Sequence, residues 1–297
     1  MKVQTLTSRF YDYSLHLRGY SEATIRRYRH VLDFYQKYGT MQEVQFITHV
    51  HMRELFFLGR ADRKWKATTY LVFYNSLKVF FQWCILEGII YKNPIEGIEV
   101  PKIEQSLPKN LTKQNAFFLL ETIQNYPHYS QFIRYRNHAI FSMYIFAGLR
   151  KQELLNLKLA DVDVNNLTIL IRKGKGNKDR LVPMAMTLRQ TLKAYQEQRN
   201  KVNKTSQSFF LSSTYNAGLT SQGLKLITEQ YKKATGIEFT IHRLRHTFAT
   251  LMIEGGADIY GLSRMMGHSD IKTTTKYLFA SADHLRSQMT KHPLNNL

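Results

Sequence analysis

Apolar residues recur at helical spacing through the first third of the chain. Ser21 suits a helix N-cap and Gly39 a helix end. The apolar positions between them fall on one helical face: Ile25, Tyr28, Leu32 and Tyr35. A second helix is predicted from about Thr68 to Glu87, with an apolar body of Tyr70, Phe73, Leu77, Phe80 and Phe81. This part of the chain is therefore predicted to be nearly all helical.

One stretch of the second half breaks the helical pattern. Asn165-Asn166 is a turn signal between residues 162–164 and a strand over 167–172. Residues 174–179 form a glycine-containing tip before a further strand at 180–183. These segments predict a three-stranded antiparallel meander, after which helices resume to the end. The predicted fold class is mainly α, with a helical N-terminal domain and a mostly helical second domain that carries the small sheet.

Three prolines mark a break between these halves: Pro94, Pro101 and Pro108. Proline interrupts helices and favours extended backbone before it. The 297 residues are long enough for two domains. We therefore predict a first domain over 1–93, a linker over 94–107 and a second domain over 108–297.

The chain is strongly basic, with 42 Lys and Arg against 22 Asp and Glu and a net charge of +20. Residues 108–297 hold 27 of the basic and 12 of the acidic residues. A charge of this size indicates a polyanionic partner, nucleic acid first, although a merely basic protein is the alternative. Two clusters in the first half are candidate phosphate contacts or simply solvated faces: Arg26, Arg27 and Arg29, and Arg60, Arg63, Lys64 and Lys66.

The cysteine count and the lengths of the apolar runs indicate the cellular environment of the protein. Cys84 is the one cysteine, which excludes a disulfide framework and a cysteine-based zinc site. It lies in an apolar stretch, so we expect a buried thiol. The first residues start no secretory leader, and the apolar runs are far shorter than a bilayer requires. We expect a soluble cytoplasmic protein without a membrane partner.

The chemistry-bearing residues begin with the segment around His242. His242 and Arg245 lie three residues apart on one helical face. A guanidinium that clasps two oxygens and an imidazole that moves a proton suit a phosphoryl group. His246 has metal-pair spacing from His242, but no carboxylate accompanies them, so no metal is expected. Two surface histidines on a basic helix are the alternative.

Other candidates lie on either side of this segment. Arg150 follows soon after Gly148, and Glu153 stands one helical turn further on, where it could steady the arginine. Lys175 lies on the predicted hairpin tip, as a movable proton donor requires, although a solvated turn is the alternative. His268 precedes Tyr277 by nine residues.

In their order along the chain, these residues carry a family resemblance. The motifs A-G-L-R-x-x-E, G-K-G-N-K, H-x-L-R-H-T-F-A-T and G-H-S-D, and the terminal tyrosine, resemble those of the tyrosine recombinases, the phage integrase family. The proline-marked segment, the R-L-V-P strand and the compact length look like the Xer subgroup. The resemblance covers nearly the whole chain and implies six catalytic residues: Arg150, Lys175, His242, Arg245, His268 and Tyr277.

The resemblance implies site-specific DNA strand exchange through a 3′-phosphotyrosyl intermediate. Tyr277 would be the nucleophile and His242 its proton acceptor. Arg150 and Arg245 would neutralise charge on the non-bridging oxygens, and Lys175 would protonate the departing 5′ oxygen. Because the phosphotyrosyl ester preserves the energy of the broken bond, no ATP or other cofactor is expected.

The resemblance also implies supporting residues and partners. His268 would hydrogen-bond the phosphate and Glu153 would orient the site. The first half would be the core-binding domain that closes around duplex DNA, with Arg27, Lys64 and Lys66 as phosphate contacts. The implied assembly on two recombination sites is a homotetramer, or a heterotetramer with a paralogue. The helix at about 282–289 would dock into a neighbouring subunit, and a translocase or accessory protein could regulate the reaction.

Several functions share this chemistry. Xer-type resolution of chromosome or plasmid multimers at the nucleoid is favoured. The nearest alternative is the integrase of a mobile element, which catalyses insertion and excision with the same residues. A relaxing type IB topoisomerase would act without dependence on site sequence. A binding protein with an inactive site would retain DNA binding without cleavage.

Overall fold

Two compact units make up the chain, Met1–Gln105 and Ser106–Leu297, and each has a hydrophobic core of its own. The computed structural model describes residues 1–102, 110–172, 179–268 and 270–280. Within those ranges, no helix combines the length and apolar character needed to cross a membrane.

The first unit is built on helices α1 (Val3–Asp12), α2 (Glu22–Tyr38), α3 (His49–Ala61) and α4 (Ala67–Leu86). The Ser21 side chain caps α2 by accepting a hydrogen bond from the Thr24 backbone N–H, and Gly39 follows the last residue of the helix. The predicted helix over 68–87 is α4, displaced by one residue. Both predicted helices are therefore confirmed.

Aromatic side chains fill much of the first core. Phe10 packs edge-on against Phe80 with ring centroids 5.3 Å apart, and Trp65 stacks on Phe73 at 4.0 Å. Cys84 is completely buried among them, as predicted, and this burial raises the pKa of its thiol to about 12. The thiol is therefore a packing group in this unit.

The start of the predicted linker, residues 94–107, belongs to the first unit. Ile95 and Ile98 are buried in its core. The buried Asn93 amide donates to the Lys78 carbonyl at 3.1 Å and accepts from the Ile95 N–H at 3.2 Å. The prolines end regular helix here, but burial of the two isoleucines holds the backbone against the unit. Residues 103–107 lie outside the described residues.

The second unit is mainly helical, as predicted. Its helices in the described residues are α5 (Lys113–Asn125), α6 (Gln131–Ala147), α7 (Lys151–Asn156), α8 (Met186–Asn200), α9 (Ser221–Thr235), α10 (Ile241–Glu254), α11 (Ile259–Met266) and α12 (Lys272–Ala280). The long α6 is buried along most of its length and packs against α5, α8 and α10. The predicted docking helix at 282–289 lies outside the described residues.

The sheet is the predicted antiparallel meander of β1 (Val162–Asp163), β2 (Thr168–Ile171) and β3 (Arg180–Pro183). Asp163 shapes the first turn, since its Oδ1 accepts from the backbone N–H groups of Asn165 and Asn166, both at 2.9 Å. Alternation along β2 directs Ile169 and Ile171 into the core. Residues 174–178 of the predicted glycine-containing tip, which joins β2 to β3, lie outside the described residues.

Helices α10, α11 and α12 share a smaller apolar cluster that includes Phe248, Leu262 and Tyr277. The Phe248 ring lies against Gly148, which ends α6 in the left-handed conformation at φ 60°. A Cβ at Gly148 would overlap that ring. This glycine therefore allows the end of α6 and the middle of α10 to approach closely.

The energetic effect of the close approach at Gly148 can be tested, with a second left-handed glycine as the control. Gly236 ends α9 at φ 68°, and a Cβ added there would meet no neighbouring atom within 4 Å. Gly236→Ala tests the backbone cost alone, about 1 kcal/mol of unfolding free energy. Gly148→Ala adds overlap with Phe248 and should cost about 2–4 kcal/mol in urea unfolding. Equal losses for the two variants would contradict the close-packing argument.

Candidate active site

Arg150 is placed by the turn between α6 and α7. After Gly148 turns the backbone, Leu149 is buried and Arg150 becomes the N-cap of α7. The Arg150 backbone N–H donates to Glu153 Oε2 at 2.7 Å, and its Nη1 donates to Oε1 of the same carboxylate at 2.8 Å. Glu153 thus caps the helix and fixes the arginine side chain, as the spacing of the two residues predicted.

Three arginines surround the Glu153 carboxylate. Besides Arg150, Arg180 on β3 donates through both terminal nitrogens, at 2.7 and 2.8 Å. Arg245 on α10 is farther away, with Nη1 4.0 Å from Oε2. The side chains of Glu153, Arg180 and Arg245 are 7%, 11% and 4% exposed, whereas that of Arg150 is 25% exposed. Arg150 is therefore the most solvent-accessible guanidinium of the three.

Burial and pairing oppose each other in the pKa values of this cluster. Burial alone would raise the pKa of Glu153, but hydrogen bonds and charge from Arg180, together with the bonds from Arg150, lower it to about 2. Burial, followed by the charge of Arg150, lowers the pKa of Arg245 to about 10. Glu153 and Arg245 are therefore both ionised at neutral pH, and the site holds three guanidinium groups against one carboxylate.

Backbone carbonyls at the C-terminal end of α11 also bind these three guanidinium groups. Successive backbone carbonyls accept one hydrogen bond each: Met265 from Arg180 Nε at 2.8 Å, Met266 from Arg245 Nη2 at 2.6 Å, and Gly267 from Arg150 Nη2 at 2.7 Å. Carbonyls at a helix C-terminus lack intrahelical partners and carry partial negative charge. Arg245 Nη1 also donates to the Gly148 carbonyl. The arginines are thus oriented by backbone as well as by Glu153.

His268 follows directly after this helix end. Its Nε2 lies 3.2 Å from Arg245 Nη2, and its Nδ1 lies 2.7 Å from the hydroxyl of the buried Thr274. Because a guanidinium can only donate, Nε2 accepts in this contact and Nδ1 carries the proton that Thr274 receives. The network therefore fixes the orientation of the imidazole ring beside Arg245.

Tyr277 lies on α12 and is 2% exposed. Its hydroxyl oxygen is 2.6 Å from Nδ1 of His246 on α10. Burial raises the pKa of Tyr277 to about 12, although the charge of Arg245 lowers it. The exposed His242 lies edge-on to the His246 ring, with centroids 4.2 Å apart. The tyrosine therefore contacts His246, while the predicted proton acceptor His242 lies one helical turn away.

The structure thus brings together five of the six predicted catalytic residues in the second unit. Arg150 donates to Glu153, Arg245 lies 4.0 Å from the same carboxylate and contacts His268, and Tyr277 and His242 each contact His246. Lys175 lies outside the described residues. The proposed phosphate contacts Arg27, Lys64 and Lys66 belong to the first unit and are exposed.

The basic segment of the first unit is anchored by Trp65. Gly59 leaves room for the Trp65 ring against α3, because a Cβ at Gly59 would overlap it. Arg60 Nη1 donates to the Trp65 carbonyl at 2.5 Å. Lys64 takes a left-handed conformation at φ 50°, and Lys66 is the N-cap of α4. The buried tryptophan therefore holds a short turn whose two lysines face solvent.

Arg180 is a site residue that the sequence analysis did not select. Its position carried a signal, since Arg180 and the buried Val182 are two residues apart in a strand and point to the same face. An arginine on a core-facing position needs an acceptor. His246 is the second addition: it shares a helical stripe with Ala249 and Ile253, which are buried beneath α11 and α12.

The pairing of Glu153 generates a prediction about stability. The folded-state pKa of Glu153 lies below the ordinary value of 4.5, so its ionised form stabilises the fold above that pH. This stabilisation is lost as the pH falls from about 5 towards 2. Glu153→Gln should cost roughly 3 kcal/mol at pH 7 and flatten that pH dependence of the unfolding free energy, measured by urea titration.

A surface pair supplies the matched control. Glu87 pairs with Arg9 at 2.6 Å, but both side chains are partly exposed. Glu87→Gln should change the unfolding free energy by less than about 1 kcal/mol. If Glu153→Gln were equally mild, the buried arginines would not depend on this carboxylate.

Comparison with known proteins places this arrangement in a family. The sequence model of the phage integrase family matches residues 109–284, and that of the phage integrase N-terminal SAM-like domain matches residues 8–88. Tyrosine recombinase XerD of Staphylococcus haemolyticus is 32% identical over 285 residues, covering 93% of this chain and 94% of the relative. Tyrosine recombinase XerA of Thermococcus kodakarensis is 31% identical over 286 residues, covering 94% and 93%.

A solved structure shares the fold. XerH site-specific recombinase bound to palindromic difH substrate, in a post-cleavage complex, superposes with a TM-score of 0.74 at 23% identity, over 92% of this chain and 81% of that one. The family model spans most of the second unit, which contains the arginine cluster and Tyr277, and the relatives align almost from end to end. This chain belongs to the phage integrase family, the tyrosine recombinases.

Proposed function

We propose that this protein cuts and rejoins duplex DNA at a specific site, with Tyr277 as the nucleophile that forms a 3′-phosphotyrosyl intermediate. The observation that carries the proposal is that Tyr277 packs in the cluster of α10, α11 and α12, while the C-terminal end of α11 binds all three arginines. Burial raises the pKa of the Tyr277 hydroxyl, and the nearby charge of Arg245 partly opposes that rise. A phosphate bound by the arginines would therefore lie in the field that also favours the tyrosinate.

The arginine cluster suits a phosphodiester group. Three guanidiniums against one carboxylate leave two positive charges in excess among these groups. Arg150 is the most exposed of the three and can contact a non-bridging oxygen without leaving Glu153. Charge on those oxygens grows as phosphorus becomes five-coordinate, and cations already oriented stabilise it without reorganisation. Glu153 and Arg180 act as positioning residues in this scheme.

The proposed cleavage balances without a cofactor. The Tyr277 oxygen forms a bond to phosphorus while the bond from phosphorus to the 5′ oxygen breaks. The tyrosine proton passes to a nearby base, for which the family resemblance nominates His242, and the 5′ oxygen receives a proton, for which it nominates Lys175. The reverse sequence, with a different 5′ hydroxyl, rejoins the strands.

His268 has a specific part in this scheme. In the structure its Nε2 accepts from Arg245, so that nitrogen carries no proton to donate. A hydrogen bond from Nε2 to a phosphate oxygen requires a proton on Nε2, which a change of tautomer supplies when Nδ1 accepts from the Thr274 hydroxyl instead. We therefore propose that His268 becomes a donor when DNA binds.

We further propose an Xer-type biological role, the resolution of chromosome or plasmid multimers. Its support is the near end-to-end similarity to relatives named XerD and XerA. The scheme requires four subunits on two sites, as a homotetramer or together with a paralogue, and allows control by a translocase or accessory protein. The protein would work on the nucleoid in the cytoplasm.

The first unit is proposed to grip the phosphate backbone through Lys64, Lys66 and Arg27. Lys64 and Lys66 flank the anchored Trp65, and α4 begins after Lys66 without a side-chain capping bond. The N–H groups of a helix start attract anions, and lysines beside them add charge. Arg27 is exposed on α2, with its guanidinium 5.3 Å from the Tyr28 ring centroid.

This grip predicts a salt dependence. Replacing Lys64, Lys66 or Arg27 by alanine should weaken DNA binding on any sequence and lower the slope of log affinity against log salt by about 1 for each lysine or arginine removed from a phosphate. Fluorescence anisotropy across a salt series measures this slope. Lys233→Ala, which removes an exposed charge from α9, should leave the slope near that of the wild type. An unchanged slope for all three variants would contradict the proposed grip.

The nucleophile is tested with a nicked suicide duplex that carries the candidate recombination site of the source genome. Wild-type protein should form a covalent adduct on a denaturing gel, linked to Tyr277 by mass spectrometry. Tyr277→Phe should bind the duplex normally in a gel shift and form no adduct, because it lacks the attacking oxygen. Tyr260→Phe, altered at an exposed tyrosine of α11, should still form the adduct. An adduct from Tyr277→Phe would refute the assignment.

A further inference from the structure

A hydrogen bond joins the Tyr277 hydroxyl to His246. The 2.6 Å contact connects Nδ1 on α10 to the hydroxyl on α12, and these two helices pack against each other. The ring places the phenolic oxygen, so a hydrogen bond from the hydroxyl to a fixed partner holds the ring in position and sets the direction of the O–H bond.

The position of His246 is itself restrained. Its ring lies edge-on to His242 one turn before it on α10. Arg245 directly precedes His246, and its guanidinium donates hydrogen bonds to the carbonyls of Gly148 and Met266. A single helix therefore fixes both a phosphate-binding arginine and the imidazole that contacts the nucleophile.

The direction of this hydrogen bond matters for the attack. When the hydroxyl donates to Nδ1, its hydrogen points at His246 and its lone pairs point elsewhere. In-line attack on phosphorus needs a lone pair aimed at the phosphate, and a misplacement of about 1 Å costs roughly 100-fold in rate. Before the attack, holding the hydrogen at His246 leaves the lone pairs of the oxygen available; the hydroxyl hydrogen then turns away from His246 as the proton passes to His242 in the proposed cleavage.

We propose that His246 is a positioning residue for strand cleavage, which aims the Tyr277 oxygen at the phosphate held by Arg150 and Arg245. This inference rests on the proposed function, because it gives His246 a part in that same cleavage. It assigns a role to a histidine outside the six residues that the family resemblance implies.

Two substitutions separate positioning from proton uptake. In His246→Asn, the amide oxygen takes the place of Nδ1 and accepts the hydrogen bond, but it binds no proton near neutral pH. In His246→Ala, the acceptor is absent. We expect His246→Ala to lower the rate of adduct formation on the nicked duplex roughly 100-fold, and His246→Asn to stay within about tenfold of the wild type. DNA affinity should be unchanged in both.

A packing control comes from the same helix. Met252 packs against the cluster that contains Tyr277, and Met252→Ala removes a side chain of similar size. Its cleavage rate should stay close to that of the wild type. If Met252→Ala reduced activity as much as His246→Ala, the effect would be one of general packing and the inference would be wrong.

A second readout needs no DNA. Fluorotyrosine placed at position 277 reports its surroundings by fluorine NMR in the full-length protein. The wild type and His246→Asn should give similar resonances, and His246→Ala a shifted one. An unshifted His246→Ala spectrum would show that the hydrogen bond does not exist in solution and would overturn the inference.

The kinetic outcomes are distinct. Equal reductions in His246→Ala and His246→Asn would make His246 a proton acceptor instead of a positioning residue. Faster cleavage by His246→Ala would mean that the bond restrains the tyrosine, and unchanged cleavage by both would remove any role; all three results overturn the inference alone. A wild-type protein that forms no adduct would defeat the proposed function and this inference together.

Discussion

The second unit depends on holding three charged arginines together in a largely buried site. Like charges repel, and a guanidinium removed from water needs acceptors for its hydrogens. Glu153 supplies one full negative charge, and the last carbonyls of α11 supply oriented partial charges. Removing one partner of such a buried group typically costs about 3–5 kcal/mol, because the remaining charge has no compensation.

This requirement explains why distant elements converge. Arg150 begins α7, Arg180 lies on β3 and Arg245 lies on α10, so a helix start, a strand and a helix interior all meet at the end of α11. The chain then continues from that helix end into His268 and α12, which carries Tyr277. Tyr277 is thus tied by a short stretch of backbone to the carbonyls that orient the three arginines.

Local patterns predicted much of this arrangement. Ser21 and Gly39 bound α2, the Asn165-Asn166 turn precedes β2, and the Arg150–Glu153 pair forms within one helical turn. These features need only neighbouring residues, so spacing is enough to indicate them. Interactions between distant segments were harder to predict. The Arg180–Glu153 pair and the His246–Tyr277 bond join residues 27 and 31 positions apart, and no local spacing encodes them.

The burial of Ile95 and Ile98 likewise depends on a core that the local proline pattern does not report. A polar residue on the buried face of a strand or helix, such as Arg180 or His246, indicates a hydrogen-bonding partner elsewhere in the chain.

The end of α11 has one more consequence, which concerns how the site tolerates change. Since three successive carbonyls each hold a different guanidinium, a small shift of this eight-residue helix would alter all three hydrogen bonds at once. Groups that share one support do not contribute independently, so their effects are coupled. The site therefore assembles as a unit: a substitution in α11 that displaces its last turn would weaken all three arginine contacts together, even at a position remote from Tyr277.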